Sequence, residues 1–168
     1  MSTPPDRDRD QSAGSASFGV VPEDRRRALS GLELLRGIRD GALPPPPICE
    51  IMAYHLVEVD EGRVVFRGTP DGRHYNPIGS IHGGFAATLL DSCMGCAVHT
   101  TLPAGTAYTT LEFKINLLRG MTDATGPVDA VGTVTRAGRR VAVADGRLVD
   151  SAGALLVTGS TTCLVFPL

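Results

Sequence analysis

GGFAATLLDSCMGCAV, residues 83–98, is the stretch on which the interpretation of the fold depends. From Gly84 to Val98 nearly every side chain is small or apolar, whichever face of a helix it would occupy. A helix with this pattern is buried on all sides. The sequence therefore predicts one long helix at the centre of the fold, with Asp91 as a charged residue inside it.

After this helix the chain changes to the alternation of apolar and polar residues that is typical of β-strands. Four strands are predicted at residues 108–118, 126–136, 140–150 and 155–166. Their turns fall at Asp123-Ala124, Ala137-Gly138 and Ala152-Gly153. Before the helix, residues 55–60 and 63–69 predict two more strands, joined by a turn at Glu61-Gly62.

The connections between these strands indicate the architecture. Short connections favour antiparallel neighbours. Strands of about ten residues are longer than usual, so the sheet is expected to curl. The predicted fold class is therefore α+β, with a mostly antiparallel sheet of five or six strands wrapped around one long buried helix.

Three parts of the chain differ in composition. Residues 1–20 contain almost no large apolar side chains and are expected to form a mobile tail. In residues 21–47, Pro22 suits a helix start, leucines follow at helical spacing, and Gly41 suits a helix end. The prolines at 44–47 predict an extended connector. Residues 48–168 form the predicted domain, to which the N-terminal helix is an addition.

The overall composition narrows the classes of partner. The net charge is −2 and the sequence pI is about 6.1, which gives no general field to hold DNA or an acidic membrane. No run approaches the roughly 18 apolar residues of a membrane span. The four cysteines occur without a secretory signal, which favours a reducing cytoplasm. We therefore expect a cytoplasmic protein that binds neither nucleic acid nor a membrane.

Two features of the central helix suggest chemistry. Gly83 and Gly84 lie where the helix begins, so the backbone N–H groups there are unobstructed and lie at the positive end of the helix dipole. Such a position can hold an oxyanion. Asp91 lies inside the apolar helix, where an ionised carboxylate is costly to bury unless other groups compensate it.

These two features are too far apart to act together within one chain. Asp91 follows Gly83 by eight residues, which corresponds to about 12 Å along a helix. Two antiparallel copies of the helix, packed side by side, would place the start of one beside the middle of the other. We therefore expect a two-fold homodimer with two composite sites.

The segment from Asn76 to Asp91, with the spacing Asn-x5-His-Gly-Gly-x6-Asp, resembles the PaaI-type branch of the hotdog-fold thioesterases. The resemblance extends over residues 48–168. It implies a hotdog fold and an acyl-CoA thioesterase, with an aromatic or a medium-chain acyl group as candidates. Asp91 would activate water or attack the thioester carbon, and the Gly83 amide would polarise the thioester carbonyl. Asn76 and His82 would support that end of the site from the same subunit.

The resemblance also implies a hydroxyl that assists the carboxylate from the next strand. Thr110 matches that position, with Thr109 as the neighbouring alternative. Coenzyme A is part of the substrate, so no separate cofactor and no metal are expected, and the Gly84 amide would contact the substrate. The family further favours a dimer of dimers, that is, a homotetramer. The phosphates of coenzyme A would need cationic partners, which a local cluster of Arg119, Arg136, Arg139 and Arg140 would supply.

Other interpretations of the same residues stay open. Asp91 could be a structural hydrogen-bond acceptor, His82 a helix cap, and the arginines an ordinary solvated turn. Cys93-x-x-Cys96 followed by His99 resembles a redox or metal motif, but packing is the better interpretation because the pair lies well inside the helix. The domain could also be a non-catalytic acyl-CoA sensor or, with less support, a hydratase or dehydratase of acyl thioesters.

Overall fold

The computed structural model describes residues 17–168, so residues 1–16 of the predicted tail lie outside the described residues. The helices are α1 (Glu23–Ala28), α2 (Gly31–Arg39), α3 (Pro47–Ile51) and α4 (Gly83–Thr100). The strands are β1 (Tyr54–Asp60), β2 (Arg63–Gly68), β3 (Thr106–Leu117), β4 (Val128–Ala137), β5 (Val141–Asp150) and β6 (Leu155–Pro167). Two 3-10 turns span Gly72–His74 and Asp123–Thr125. Within this part of the chain, no helix is long and apolar enough to cross a membrane.

The strands form one six-stranded antiparallel sheet in the order β1-β2-β4-β5-β6-β3. The pairs β1–β2, β4–β5 and β5–β6 join neighbours in sequence, as their short connections predict. β2 also pairs with β4, and β3 pairs with β6, so β1 and β3 are the two edges of the sheet. The prediction of an α+β fold with a sheet curled around a long helix is confirmed, with six strands.

One side of α4 packs against the sheet and forms the centre of the core. Phe85, Leu89 and Met94 are fully buried on this side. Gly132 of β4 allows the strand to come close to the helix, because a Cβ atom at this position would collide with the carbonyl oxygen of Cys93. Apolar burial and this backbone approach together fix which side of α4 faces the sheet.

Within one chain the opposite side of α4 is only half-buried, whereas the sequence predicts a helix that is buried on all sides. Ala87, Thr88, Asp91, Ser92 and His99 share this incomplete burial. Their spacing places them along one stripe of the helix, which we call the open stripe. Small side chains such as Ala, Ser and Thr suit both a covered face and an uncovered one, which is why the sequence pattern did not reveal the stripe.

The N-terminal arm contains two helices where the sequence predicts one. Leu29 is extended and ends α1. Ser30 then caps α2: its hydroxyl accepts the Glu33 N–H, and the Glu33 carboxylate accepts the Ser30 N–H. The spacing of the leucines continues across the break, so periodicity alone could not show it.

The proline run also differs from its prediction. Pro47 is the first residue of α3, where its missing N–H group costs no hydrogen bond, so the connector ends one residue earlier than expected. The Gly19 N–H donates to the carbonyl oxygen of Pro45 at 2.9 Å. Residues 17–20, which were expected to belong to the tail, are thus attached to the connector.

Candidate active site

The start of α4 presents one open backbone N–H group. His82 caps the helix, and its Nδ1 atom accepts the Gly84 N–H at 2.8 Å. Gly83 is the first helical residue, and within residues 17–168 its N–H has no acceptor. The predicted oxyanion donor is therefore available at Gly83. The Gly84 N–H is already used by His82, which argues against its predicted contact with substrate and agrees with the interpretation of His82 as a cap.

Asn76 shapes the loop that leads into α4. Its side-chain oxygen accepts the N–H groups of Ile78 and Ser80, both at 3.1 Å, and its amide donates to the Ser80 hydroxyl at 2.9 Å. Ile81, which follows Ser80, donates its N–H to the carbonyl oxygen of Met121. Asn76 thus supports the helix start by holding its approach, consistent with the supporting role predicted for it.

Asp91 lies on the open stripe and is bound by a hydroxyl from β3. The Thr110 hydroxyl donates to Asp91 Oδ1 at 2.9 Å, whereas Thr109 is exposed. A β-bulge follows directly, because Thr110 pairs with Cys163 of β6 while Glu112 pairs with Thr162. Bulges of this kind re-aim side chains beside functional sites. Of the two threonines that the sequence left open, the geometry selects Thr110.

Neutral groups surround this carboxylate. Burial raises the pKa of the Cys96 thiol to about 12 and also raises the pKa of the Cys93 thiol, and the negative charge of Asp91 adds to both increases. Burial also raises the pKa of the Tyr108 phenol well above its usual value. Both thiols therefore stay protonated at neutral pH, which is the opposite of what a reactive redox pair requires.

The predicted residues form two separate groups within one chain. Asn76, His82 and Gly83 lie at the start of α4, while Asp91 and Thr110 lie near its middle. α4 is continuous between Gly83 and Asp91, so about 12 Å of helix separates the two groups. A single chain thus holds the carboxylate and the open amide but does not bring them together.

The predicted cluster of four arginines does not exist within one chain. Arg119 follows β3 and donates its N–H to the carbonyl oxygen of Leu156, near the start of β6. Arg140 accepts the Val165 N–H near the other end of β6. At about 3.3 Å per residue, roughly 30 Å of strand separates these positions. Arg139 and Arg140 line a groove of about 440 Å³, beside the last residues of β6.

A cavity of about 410 Å³ lies beside the start of α4. Met52, Phe85 and Thr88 form part of its wall, next to the His82 cap. His74 also lines it and is buried, although the sequence analysis did not single this residue out. A signal was present: His74 is a titratable side chain two residues before Asn76, in the loop that leads to the helix.

Comparison with known proteins identifies a matching family and similar structures. Residues 78–157 match the family model described as "Thioesterase superfamily". A Halobacterium salinarum protein named as a candidate esterase is 38% identical over 76 residues, which cover 44% of this chain and 48% of that protein. The matched part thus spans about half the length of that relative. Just under half of this chain thus matches the thioesterase superfamily.

Solved structures share the fold. A conserved protein of Pseudomonas aeruginosa is 28% identical with a TM-score of 0.67, over 71% of this chain and 94% of that one. The PaaI protein of Escherichia coli, from the phenylacetic acid degradation operon, is 21% identical with a TM-score of 0.65, over 71% and 83%. A Haemophilus influenzae thioesterase is 20% identical with a TM-score of 0.68, over 84% and 94%. The resemblance to PaaI-type hotdog proteins predicted from the sequence is therefore confirmed in superfamily and fold.

Proposed function

We propose that this protein hydrolyses acyl-CoA thioesters at a composite site, with Asp91 from one copy of the chain and Gly83 from a second copy. The observation that carries the proposal is the Asp91–Thr110 hydrogen bond on the open stripe of α4. A carboxylate held on an uncovered stripe of a central helix is in place to act on a ligand that reaches it from outside the chain. The match of residues 78–157 to the thioesterase superfamily supports this choice of reaction.

An edge strand beside the open stripe supports the two-fold assembly. β3 carries Leu111, Phe113 and Leu117, which are 57%, 40% and 56% exposed, and it has a free edge in the sheet of one chain. An apolar edge strand is a surface that proteins normally cover. Pairing two β3 edges about a two-fold axis would cover it and place the two α4 helices antiparallel. The pairing of such dimers into a tetramer stays a prediction.

The chemistry divides between the two groups of residues. The Gly83 N–H, at the positive end of the α4 dipole, would stabilise the negative charge that develops on the thioester oxygen. Asp91 would activate water or attack the thioester carbon itself, and the sequence leaves both routes open. A weakly basic carboxylate suffices because the thiolate of coenzyme A is a good leaving group.

Coenzyme A binding would also use two copies. Antiparallel α4 helices would place the Arg119 end of one chain at the same end as the Arg139-Arg140 turn of its mate. The arginines that lie apart within one chain would then meet across the axis, together with Arg136. All four are exposed. Exposed arginines are suited to binding phosphate through forked hydrogen bonds.

A mixing experiment tests the composite site directly. Asp91→Asn removes the carboxylate, and Gly83→Val fills the space above the amide, where even a Cβ atom would lie 2.9 Å from Leu117 Cδ1. Each variant alone should be inactive. Mixed dimers would keep one intact site, so a random equal mixture should recover about a quarter of wild-type activity. Light scattering should first show that each variant assembles like the wild type, and no recovery after subunit exchange would contradict the shared site.

The reaction itself is tested by thiol release from short-chain, medium-chain, long-chain and aromatic acyl-CoAs. Hydrolysis of at least one class by the wild type, and of none by Asp91→Asn, is the expected result. Binding of acyl-CoAs without any turnover would instead favour the non-catalytic sensor. The panel also identifies the acyl group, since the pocket is expected to discriminate among these classes by shape and burial.

A further inference from the structure

His74 is a buried side chain with one nitrogen that lacks a partner. The residue is 7% exposed. Its Nδ1 atom accepts the Asp71 N–H at 3.0 Å, so the ring proton of the neutral form lies on Nε2. Among the described residues, Nε2 has no hydrogen-bond partner. If the ring were protonated, both nitrogens would carry hydrogens. Nε2 is a donor in either form.

The ring is held firmly in one orientation. It packs against Phe85 of α4 with ring centroids 4.7 Å apart. The His74 carbonyl oxygen accepts the His82 N–H at 2.7 Å, which ties the residue to the cap of α4. These contacts fix His74 beside the helix start, so the unpartnered N–H cannot turn away to find an acceptor elsewhere without breaking them.

Three other polar side chains that line the same cavity of about 410 Å³ have protein partners. The Tyr75 hydroxyl donates to Asp123 at 2.9 Å. The Thr88 hydroxyl donates to the Gly84 carbonyl oxygen at 2.9 Å. The Arg73 guanidinium binds the Asp71 carboxylate at 2.7 Å. The Nε2 atom of His82 has no partner among the described residues either, but His82 is exposed, whereas His74 is buried. A buried donor without an acceptor is costly enough to call for an explanation.

We propose that His74 Nε2–H donates a hydrogen bond to an acceptor oxygen in the acyl group of the substrate, and so selects acyl groups that carry one. This inference rests on the proposed function. Met52 and Phe85 give the cavity apolar walls, and an apolar chain filling it would leave Nε2–H unsatisfied. Nε2 is covered from solvent. We therefore expect the lining of the cavity, which includes the flexible Met52 side chain, to shift when an acyl group enters.

The test uses a saturated medium-chain acyl-CoA and a series of analogues in which an ether oxygen replaces one methylene at a time. An ether oxygen accepts a hydrogen bond, cannot donate one, and is close to a methylene in size. At the position facing His74, kcat/KM should be about tenfold higher than at the other positions of the series, as expected for one satisfied buried donor. A series without any preferred position would overturn the proposal.

Two variants separate the role of the Nε2–H donor from the structural role of the Nδ1 contact with Asp71. His74→Asn keeps an acceptor near the position of Nδ1 for the Asp71 N–H but has no donor near Nε2. His74→Gln keeps a donor near Nε2 and loses the other contact. The positional preference should disappear in His74→Asn and persist in His74→Gln, whatever the thermal stability of the two variants. An equal loss of kcat for every acyl-CoA in His74→Asn would place His74 at the thioester carbonyl and overturn the proposal.

Binding measurements distinguish failure of this inference from failure of the proposed function. Calorimetry with non-hydrolysable thioether analogues of the same series measures the positional preference without turnover. If the wild type hydrolyses no acyl-CoA but binds one oxygen position about tenfold more tightly, the proposed function fails and the role of His74 stands. If the wild type hydrolyses the series without a preferred oxygen position, the proposed function stands and the role of His74 fails. Absence of both turnover and binding overturns both.

Discussion

The sheet-facing side of α4 and its open stripe belong to one helix but are stabilised in different ways. On the first side, Phe85, Leu89 and Met94 are fully buried, and Gly132 brings the backbone of β4 against the helix. On the second, polar side chains are bound singly by neighbouring strands. Thr110 of β3 binds Asp91, as described above. Tyr54 of β1 contacts Ser92, with the two hydroxyl oxygens 3.0 Å apart.

The difference shows how the fold and the chemistry are kept apart. Non-directional apolar burial on one side sets the position of the helix. The residues on the other side are therefore not needed to position it. Directional hydrogen bonds on the open stripe then fix individual polar groups at low exposure. We therefore expect substitutions on the stripe to change activity with small changes in stability, and substitutions on the other side to do the opposite.

The largest effect is expected for Asp91→Asn, which keeps the shape of the side chain and an oxygen that can accept from Thr110. Loss of the carboxylate should reduce kcat by about 10² to 10⁴, the usual contribution of a general base. Urea unfolding should remain close to that of the wild type. Glu112→Gln, which changes an exposed carboxylate on β3, the strand of Thr110, is the matched control and should keep its activity. Unchanged turnover in Asp91→Asn would remove the basis of the proposed mechanism.

On the sheet side, Gly132→Ala should destabilise the fold strongly. The added methyl group meets the carbonyl of Cys93, and both partners are backbone or attached directly to it, so neither can move easily. We expect a loss of about 3 kcal/mol in the free energy of unfolding, at the upper end for overpacking. Gly72→Ala is the control, because a Cβ atom there meets nothing within 4 Å. Equal urea midpoints for the two variants would show that the close approach of β4 to α4 does not determine the free energy of unfolding.

The sequence predicted the sheet side better than the stripe. The apolar run that includes Leu89 and Met94 indicated a long central helix, and the alternation of apolar and polar residues indicated the strands. Both patterns can be recognised because buried positions recur with a regular period in the sequence. Thr110 could not be separated from Thr109 in this way. Its orientation depends on a bulge that follows it in β3, and a bulge changes the alternation by one residue without a marker in composition.

Two other parts of the candidate site were beyond the sequence for physical reasons. Arg119 and Arg140 looked like one cluster, but their separation is set by the register of β6, which pairs with distant segments. The unpartnered Nε2 of His74 depends on the Asp71 N–H and on packing against Phe85. Spacing along the chain predicts which residues share a helix face; it does not predict which hydrogen-bond partners are absent.

A smaller effect on activity is expected for Thr110→Val, which keeps the branched shape and removes the hydroxyl that donates to Asp91. A hydrogen bond to a charged group contributes about 1.5 kcal/mol or more, so kcat/KM should fall about tenfold. Thr110→Ser should restore most of the loss. Thr109→Val is the matched control on the same strand, since Thr109 is exposed. If both valine variants lost activity equally, the geometry around Asp91 would not explain the effect.

The smallest effect is expected where the open stripe contributes to stability. Tyr54 is 3% exposed, and its hydroxyl contacts Ser92, so removing one hydroxyl leaves the other polar group poorly satisfied. Tyr54→Phe and Ser92→Ala should each lower the free energy of unfolding by about 1 kcal/mol, whereas the double variant should cost less than the sum of the two. Urea unfolding of all four proteins measures this coupling. Strictly additive losses would mean that the two hydroxyls are satisfied independently. The Tyr54–Ser92 contact would then not stabilise the packing of β1 against the open stripe of α4.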